Sequence, residues 1–542
     1  MFKRIANCLS IAAICTGFVL GSAFSLPTDA SAAPPAKSLL LFDCGPGTAA
    51  PGYTGLLPTT SYSPSLGYGF EDVSKVTSRD RGAPDALRGD FCMPAGTQFK
   101  ADLPNGDYQI TVISGDNIAS SSTGVKAEGV AIAALSSAAG QFDQKSFPVT
   151  ITDGQLNLEF TGAVPRVNAV EISRIFKYDF GPGAIESGYI QVLESTAYSS
   201  ERGYGFADTT KVSSRDRATS DPLRSDFTMP SGTSFLADVP NGDYQVRIIS
   251  GDAIAGNSVD IKAEGLTKAA ALTTAAGSYS DVTFTVSVID SQLNVDIVGT
   301  VPRINALIAT KLPNRVQGTV PNVYIAGDST VQTYNSSFYP EAGWGQKIAD
   351  YFTSSVKFTN RAIGGRSSKS FAVEGRLDAI LNEIKPNDYL FIQFGHNDAS
   401  SIPERHTDPY TTYKQYLNMY IDGANQRQAI PVLVTPVGRR SYDANGNFKN
   451  DFPDYVTAMK QVASERNVKL IDLNSKSIQY YNSIGVEATK SIFLWLEPGA
   501  YPNFPNGVQD NTHFQENGAI QIARLVTDGI REMNLAIISF IK

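Results

Sequence analysis

The sequence predicts two β-sandwich domains in tandem, followed by a three-layer α/β domain built on a parallel sheet. Three observations carry this. An internal repeat runs through the first 310 residues at an offset of 136, alternating apolar runs punctuated by turn residues fill each copy, and after Leu312 short apolar runs alternate with helix-like stretches. The 542 residues suffice for three or four domains at about 100–200 residues each. A hydrophobic content of 42% supports several buried cores. The net charge of −8 argues against nucleic acid as the main partner and supplies no global field for an anionic substrate. An acidic polymer would therefore have to meet a local Arg or Lys cluster.

Residues 1–32 read as a signal peptide, with Lys3 and Arg4 before an apolar run and Ala30-Ser31-Ala32 as an A-x-A-type cleavage site. The apolar run is short and broken by Asn7, Ser10 and Thr16, which favours secretion over a membrane anchor. No later stretch reaches the ~18 unbroken apolar residues of a membrane span, so the expected product is secreted and extracellular. Cys8 and Cys15 would leave with the signal. Cys44 and Cys92 remain, either as a disulfide or as two buried thiols.

The repeat assigns residues 38–175 to the first sandwich and 176–312 to the second. Phe42-Asp43-Cys44-Gly45-Pro46-Gly47 returns as Tyr178-Asp179-Phe180-Gly181-Pro182-Gly183, and residues 67–81 match 203–217 at 11 of 15 positions. Pro104-Asn105-Gly106-Asp107-Tyr108 and Val164-Pro165-Arg166 also recur, at Pro240 and Val301. A period this long is duplication of a whole domain. Asn105-Gly106 and Asn241-Gly242 are type I′ hairpin signals, each followed by an alternating run. Asp43 and Asp179, at the repeat starts, are either turn formers or carboxylates for Ca²⁺, the first being the ordinary role.

Residues 320–542 form the α/β domain. Apolar runs at 323–326, 356–358, 389–394, 431–434 and 468–471 alternate with helix-like stretches at 344–352, 375–384, 413–427 and 455–466. Ligands on such sheets lie at the carboxyl ends of the strands. Four blocks fall there. Gly327-Asp328-Ser329-Thr330 follows the first strand, Asn360 and the Gly364-Gly365 pair the second, and Gly395-His396-Asn397-Asp398 the third. Asp510-Asn511-Thr512-His513 stands on one loop near the C-terminus. A Ser beside a turn-permitting Gly exposes a hydroxyl, a Gly N–H and an Asn amide are donors for an oxyanion, and Asp three residues before His orients its ring. The chain holds three His, and no Cys/His array of zinc type.

These four blocks in this order resemble the SGNH (GDSL-like) hydrolases, and within them, with Gly343-Trp344-Gly345, the rhamnogalacturonan acetylesterases. The repeats resemble the galactose-binding-like sandwich found beside such esterases and some agarases. The resemblance implies Ser329 as nucleophile, His513 as base and Asp510 as its orienting carboxylate. It implies an oxyanion hole of the Ser329 and Gly365 N–H groups with the Asn397 amide, and no metal or organic cofactor. The resemblance implies a secreted carbohydrate esterase that removes O-acetyl groups from a pectic polysaccharide, rhamnogalacturonan, through an acyl-enzyme; its implied partner is acetylated plant cell-wall polysaccharide, with no nucleic acid, membrane or obligate protein partner.

Substrate contacts are drawn from Trp344 and Trp495, which offer sugar-stacking rings, and from Arg366. Arg361, Arg439 and Arg440 are further arginines for galacturonate. Two other readings stand beside this one. One is an SGNH lipase, lysophospholipase or thioesterase; the other is a surface carbohydrate-binding protein with an inert hydrolase domain. The sandwiches either tether the polymer or serve as spacers.

Overall fold

The computed structural model describes residues 39–542 apart from 163, 314, 316, 317 and 319; the expected signal segment, with Cys8 and Cys15, lies outside the described residues. The first repeat is a sandwich of two five-stranded sheets. One orders its strands Gln141–Ile151, Gly106–Asp116, Ala169–Arg174, Leu39–Cys44 and Thr54–Leu56. The other runs Tyr68–Phe70, Gln98–Asp102, Gln155–Thr161, Ser121–Ala127 and Val130–Ser137. The second repeat has the same two strand orders. Period-two alternation makes the core: Gln155–Thr161 buries every second residue, and Leu156 and Leu158 meet Ile110 and Val112 of the facing sheet.

The repeated arginines explain themselves in this frame. Arg81 donates twice to Asp116 (3.0 and 2.9 Å), and Arg166 Nε lies 3.2 Å from the same carboxylate. Both guanidinium groups lie over the Phe91 ring, at 5.6 and 5.7 Å. In the second copy Arg217 and Arg303 converge on Asp252 in the same way, over Phe227. A fully buried carboxylate is tolerable because two cations and a backbone N–H satisfy it.

One expectation changes here, and two readings that were left with alternatives are narrowed. Asn105-Gly106 and Asn241-Gly242 do not close hairpins, because each joins strands of opposite sheets. Gly106 and Gly242 have φ of 146° and 138°, outside the left-handed helical values of a type I′ turn, and Tyr108 and Tyr244 hydroxyls bind back to the Pro104 and Pro240 carbonyls. Cys44 and Cys92 are buried free thiols. Asp43 and Asp179 each pin a loop, accepting from Ala50 N at 2.7 Å and Glu186 N at 2.8 Å. Burial pushes both carboxyls up to about 6.

The C-terminal unit carries five parallel strands in the order Phe358–Asn360, Val323–Gly327, Tyr389–Gln393, Ile430–Val434, Lys469–Ile471. In sequence terms this is 2-1-3-4-5, with its switch point between the first and third strands. Helices Arg376–Glu383, Thr412–Gln426 and Pro453–Glu465 pack one face, and Glu516–Glu532 the other. The expected helix at 344–352 is instead a single α-turn, Trp344–Lys347, continuing as the 3₁₀ segment Ile348–Tyr351.

The second sandwich is docked on this unit. Leu266 belongs to the same apolar cluster as Phe371, Leu377 and Leu381. The wholly buried Lys268 ammonium lies 2.8 Å from Asp378, and Arg315 joins Asp243 to the Leu381 carbonyl.

Replacing Asp116 by Ala should strand two guanidinium groups and destabilise the first sandwich by about 3 kcal/mol. Both tryptophans lie in the C-terminal unit, so urea unfolding of that sandwich should show in far-UV circular dichroism ahead of any tryptophan fluorescence change.

Candidate active site

Ser329 stands just past the first parallel strand, half-exposed between the fully buried Asp328 and Thr330. Its turn is held from beneath. Asp328 Oδ1 accepts from Thr330 N (2.9 Å) and Thr330 Oγ1 (2.7 Å). Thr330 Oγ1 in turn accepts from Gln393 Nε2 at 2.8 Å, and Gln393 Oε1 accepts from the Trp344 indole at 2.8 Å. Four buried side chains are thus linked in one hydrogen-bond chain beneath the turn, and Ser329 is left as its half-exposed residue.

His513 and Asp510 are delivered by a distortion of strand pairing rather than by the loop expected from sequence. Strands Phe493–Leu496 and Val508–Phe514 pair at Trp495↔Gln509 and again at Phe493↔Phe514. Residues 510–513 are surplus to that ladder and bulge from it. His513 Nε2 lies 2.9 Å from Ser329 Oγ, and Nδ1 lies 2.7 Å from Asp510 Oδ2. Asp510 Oδ1 accepts from the Thr512 and His513 N–H groups at 2.6 and 3.0 Å.

Burial alone would raise the Asp510 carboxyl, but the His513 hydrogen bond and charge with these two N–H donors bring it down to about 2. Burial works to lower His513, and Asp510, Glu341 and Asp328 outweigh it, leaving the imidazole above its ordinary value. A hydroxyl bonded to an imidazole whose other nitrogen is fixed by a carboxylate can be activated as a nucleophile.

The donors expected for an oxyanion lie on the neighbouring strand ends. Gly364 packs against the serine: a Cβ built there would sit 3.5 Å from Ser329 Cβ. Gly365 takes φ +78°, and among the described residues neither its N–H nor that of Ser329 has a protein acceptor. Asn397 spends one amide hydrogen on the Arg366 carbonyl (3.1 Å), which fixes its plane and leaves the second N–H. Asp398, fully buried, ties the two loops together by accepting from Ser368 N and Thr407 Oγ1. His396 is structural: buried against Phe452, with Nε2 2.8 Å from the Val437 carbonyl.

The substrate contacts fare differently. Trp344 is wholly buried with its indole N–H committed to Gln393, so it cannot stack on a sugar and instead supports the Ser329 turn. Trp495 is half-exposed beside the His513 bulge, bonded to Asn511 Oδ1 at 2.9 Å with the Arg440 guanidinium 4.4 Å from its ring centre. Arg366 is paired with Glu374 and Arg361 with Glu383. Arg440 is buried on Thr489 and the Val486 carbonyl, and Arg439 lies over Phe452.

Sequence reasoning passed over Glu341 and Tyr334. The Tyr334 hydroxyl donates to the Ser329 carbonyl at 2.9 Å, and Glu341 bridges to Gln515 beside the His513 strand, where its charge raises the imidazole. No local pattern marks either. Gln393 did carry a signal, as the polar end of an apolar strand.

Comparison with known proteins agrees with this architecture. A family model described as GDSL-like lipase/acylhydrolase matches residues 323–526, and one described as β-agarase/YXIM esterase-like, galactose-binding domain-like matches 40–169 and 176–307. The chain is 52% identical over 215 residues to the probable rhamnogalacturonan acetylesterase YesY of Bacillus subtilis (strain 168), covering 40% of this chain and 94% of that one. It is 45% identical over 213 residues to rhamnogalacturonan acetylesterase RhgT of the same strain, 39% of this chain and 90% of that one. It is 32% identical over 391 residues to the uncharacterized esterase YxiM, also of that strain, 69% of this chain and 95% of that one.

With three His in the chain, the His513 imidazole can be followed by NMR. Its titration midpoint should lie above the ordinary histidine value of about 6.5. Glu341→Gln removes one of the charges that raise it and should move the midpoint down; an unmoved midpoint would mean that Glu341 does not act on the imidazole.

Proposed function

Because this chain belongs to the GDSL-like lipase/acylhydrolase family and is a serine ester hydrolase, we propose that it removes O-acetyl groups from acetylated plant cell-wall polysaccharide, rhamnogalacturonan first among them. The observation that carries the reading is the unbroken hydrogen-bond chain from Ser329 Oγ through His513 to Asp510. The names of the two rhamnogalacturonan acetylesterases it resembles support the choice of substrate. Lys3, Arg4 and the Ala30-Ser31-Ala32 site support secretion of the enzyme, where such a polymer is met.

In this mechanism His513 takes the Ser329 proton as Oγ attacks the acetyl carbonyl. Asp510 holds the ring with Nδ1–H toward itself and stabilises the imidazolium. The Ser329 and Gly365 N–H groups and the free Asn397 N–H receive the oxyanion. His513 then returns the proton to the departing sugar hydroxyl, leaving an acetyl-serine. Water, deprotonated by the same imidazole, releases acetate and restores Ser329. The sequence calls for no metal or organic cofactor. The base must be neutral to act, so activity should fall as pH drops through the raised His513 value.

Acetate release from acetylated rhamnogalacturonan, with acetylated xylan and a long-chain ester in parallel, tests the proposal. Ser329→Ala should abolish release, and Asn397→Ala should lower kcat by about 10²–10³-fold. Release from xylan alone would keep the mechanism and discard the pectic substrate. Turnover of the long-chain ester alone would place the chain with the lipases.

A further inference from the structure

Among the described residues, one guanidinium in the C-terminal unit is left without a partner. Ten arginines lie between residues 320 and 542. Eight of them hydrogen-bond or ion-pair with the protein: Arg361, Arg366, Arg376, Arg427, Arg440, Arg466, Arg524 and Arg531. A ninth, Arg439, rests on the Phe452 ring. Among the described residues Arg405 has no side-chain hydrogen bond, ion pair or ring contact, and it is half-exposed.

Its position is not incidental. A Cβ built on Gly365 would fall 3.2 Å from Arg405 Nη2 and 3.4 Å from Cζ, so the guanidinium lies against the glycine offered as an oxyanion donor. The adjoining Gly364 is the residue that touches Ser329. The segment bearing Arg405 is held in place. Thr407 N and Oγ1 bind the Asp398 carbonyl and carboxylate at 3.1 and 3.0 Å, Arg405 N binds the Ile402 carbonyl, and Lys369 Nζ donates to the Pro403 carbonyl at 2.8 Å. A long cationic side chain is thus presented at the mouth of the site by a braced loop, with nothing among the described residues to neutralise it.

We propose that Arg405 receives a carboxylate of the substrate, a uronate borne by the polymer at or beside the acetylated sugar. The proposal rests on the polysaccharide reading above and deepens it. A planar guanidinium matches a carboxylate with two parallel N–H···O bonds. In a chain of net charge −8 an acidic polymer needs such a local cation. Arg366, the arginine the sequence brought forward, is neutralised by Glu374 and bonded to the Gly364 carbonyl, and so leaves that task to Arg405.

The test uses the full chain, acetylated rhamnogalacturonan, and the same polymer with its carboxyls methyl-esterified. In Arg405→Gln, kcat/KM on the acidic polymer should fall about 10- to 100-fold, chiefly through KM, as loss of a charged hydrogen-bonded pair predicts. The loss on the esterified polymer should be several-fold smaller, and Arg405→Lys should recover part of the acidic preference. Equal losses on both polymers would overturn the proposal and assign Arg405 to the oxyanion or to the loop. No loss on the acidic polymer would overturn it as well. A wild-type enzyme that deacetylates xylan but neither form of the pectic polymer would instead sink the substrate reading, and the carboxylate site with it.

Discussion

The hydrogen bond from the Trp344 indole to Gln393 is the constraint on which the site depends. It fixes the amide so that its other end donates to Thr330, which in turn bonds the buried Asp328. Each group is fully desolvated, so breaking one of these bonds would cost a buried polar group its partner, and that penalty holds the turn in this arrangement. Ser329 inherits that rigidity. The same strand ends fix Gly365 and Asn397, through the Asp398 tie between their loops. The hydroxyl and its neighbouring donors are therefore placed before any ligand arrives, which is what electrostatic preorganisation requires.

The sandwiches use another solution to the same problem of burying charge. Duplication preserved an aspartate flanked by two arginines over one phenylalanine, in each copy. The repeated Ser-Arg-Asp-Arg stretch supplies one arginine of that clamp. Its second arginine comes from the distant Val-Pro-Arg block, so both parts of the repeat recur together.

Much of the fold was legible because its signals are local. Continuous apolar runs such as Tyr389–Gln393 announce buried parallel strands, and the blocks at their ends lie where open α/β sheets place ligands. Ser329, His513 and Asp510, which the fold links by hydrogen bonds, lie in blocks whose order along the chain is itself a signal. What sequence hid depends on partners far away. Asn105-Gly106 has hairpin chemistry, but the strands on either side belong to different sheets. Trp344 reads as a sugar platform until its burial is known. The helix Leu473–Ala488 is interrupted at Gly485, with φ +81°, and its polar composition gave no clear period. Glu341 and Arg405 carry no motif, and only three-dimensional proximity brings them to the site.

The docking of the second sandwich reaches beyond stability. Leu266 is inserted in the apolar cluster of the C-terminal unit, and Lys268 is sealed against Asp378 with no water access to its ammonium. Cutting the chain near residue 320 would open a hole in that cluster and bare a carboxylate matched to a lost cation. The two units therefore form one mechanical piece. Anything held by the second sandwich would stand at a set spacing from Ser329, as by a ruler rather than a leash.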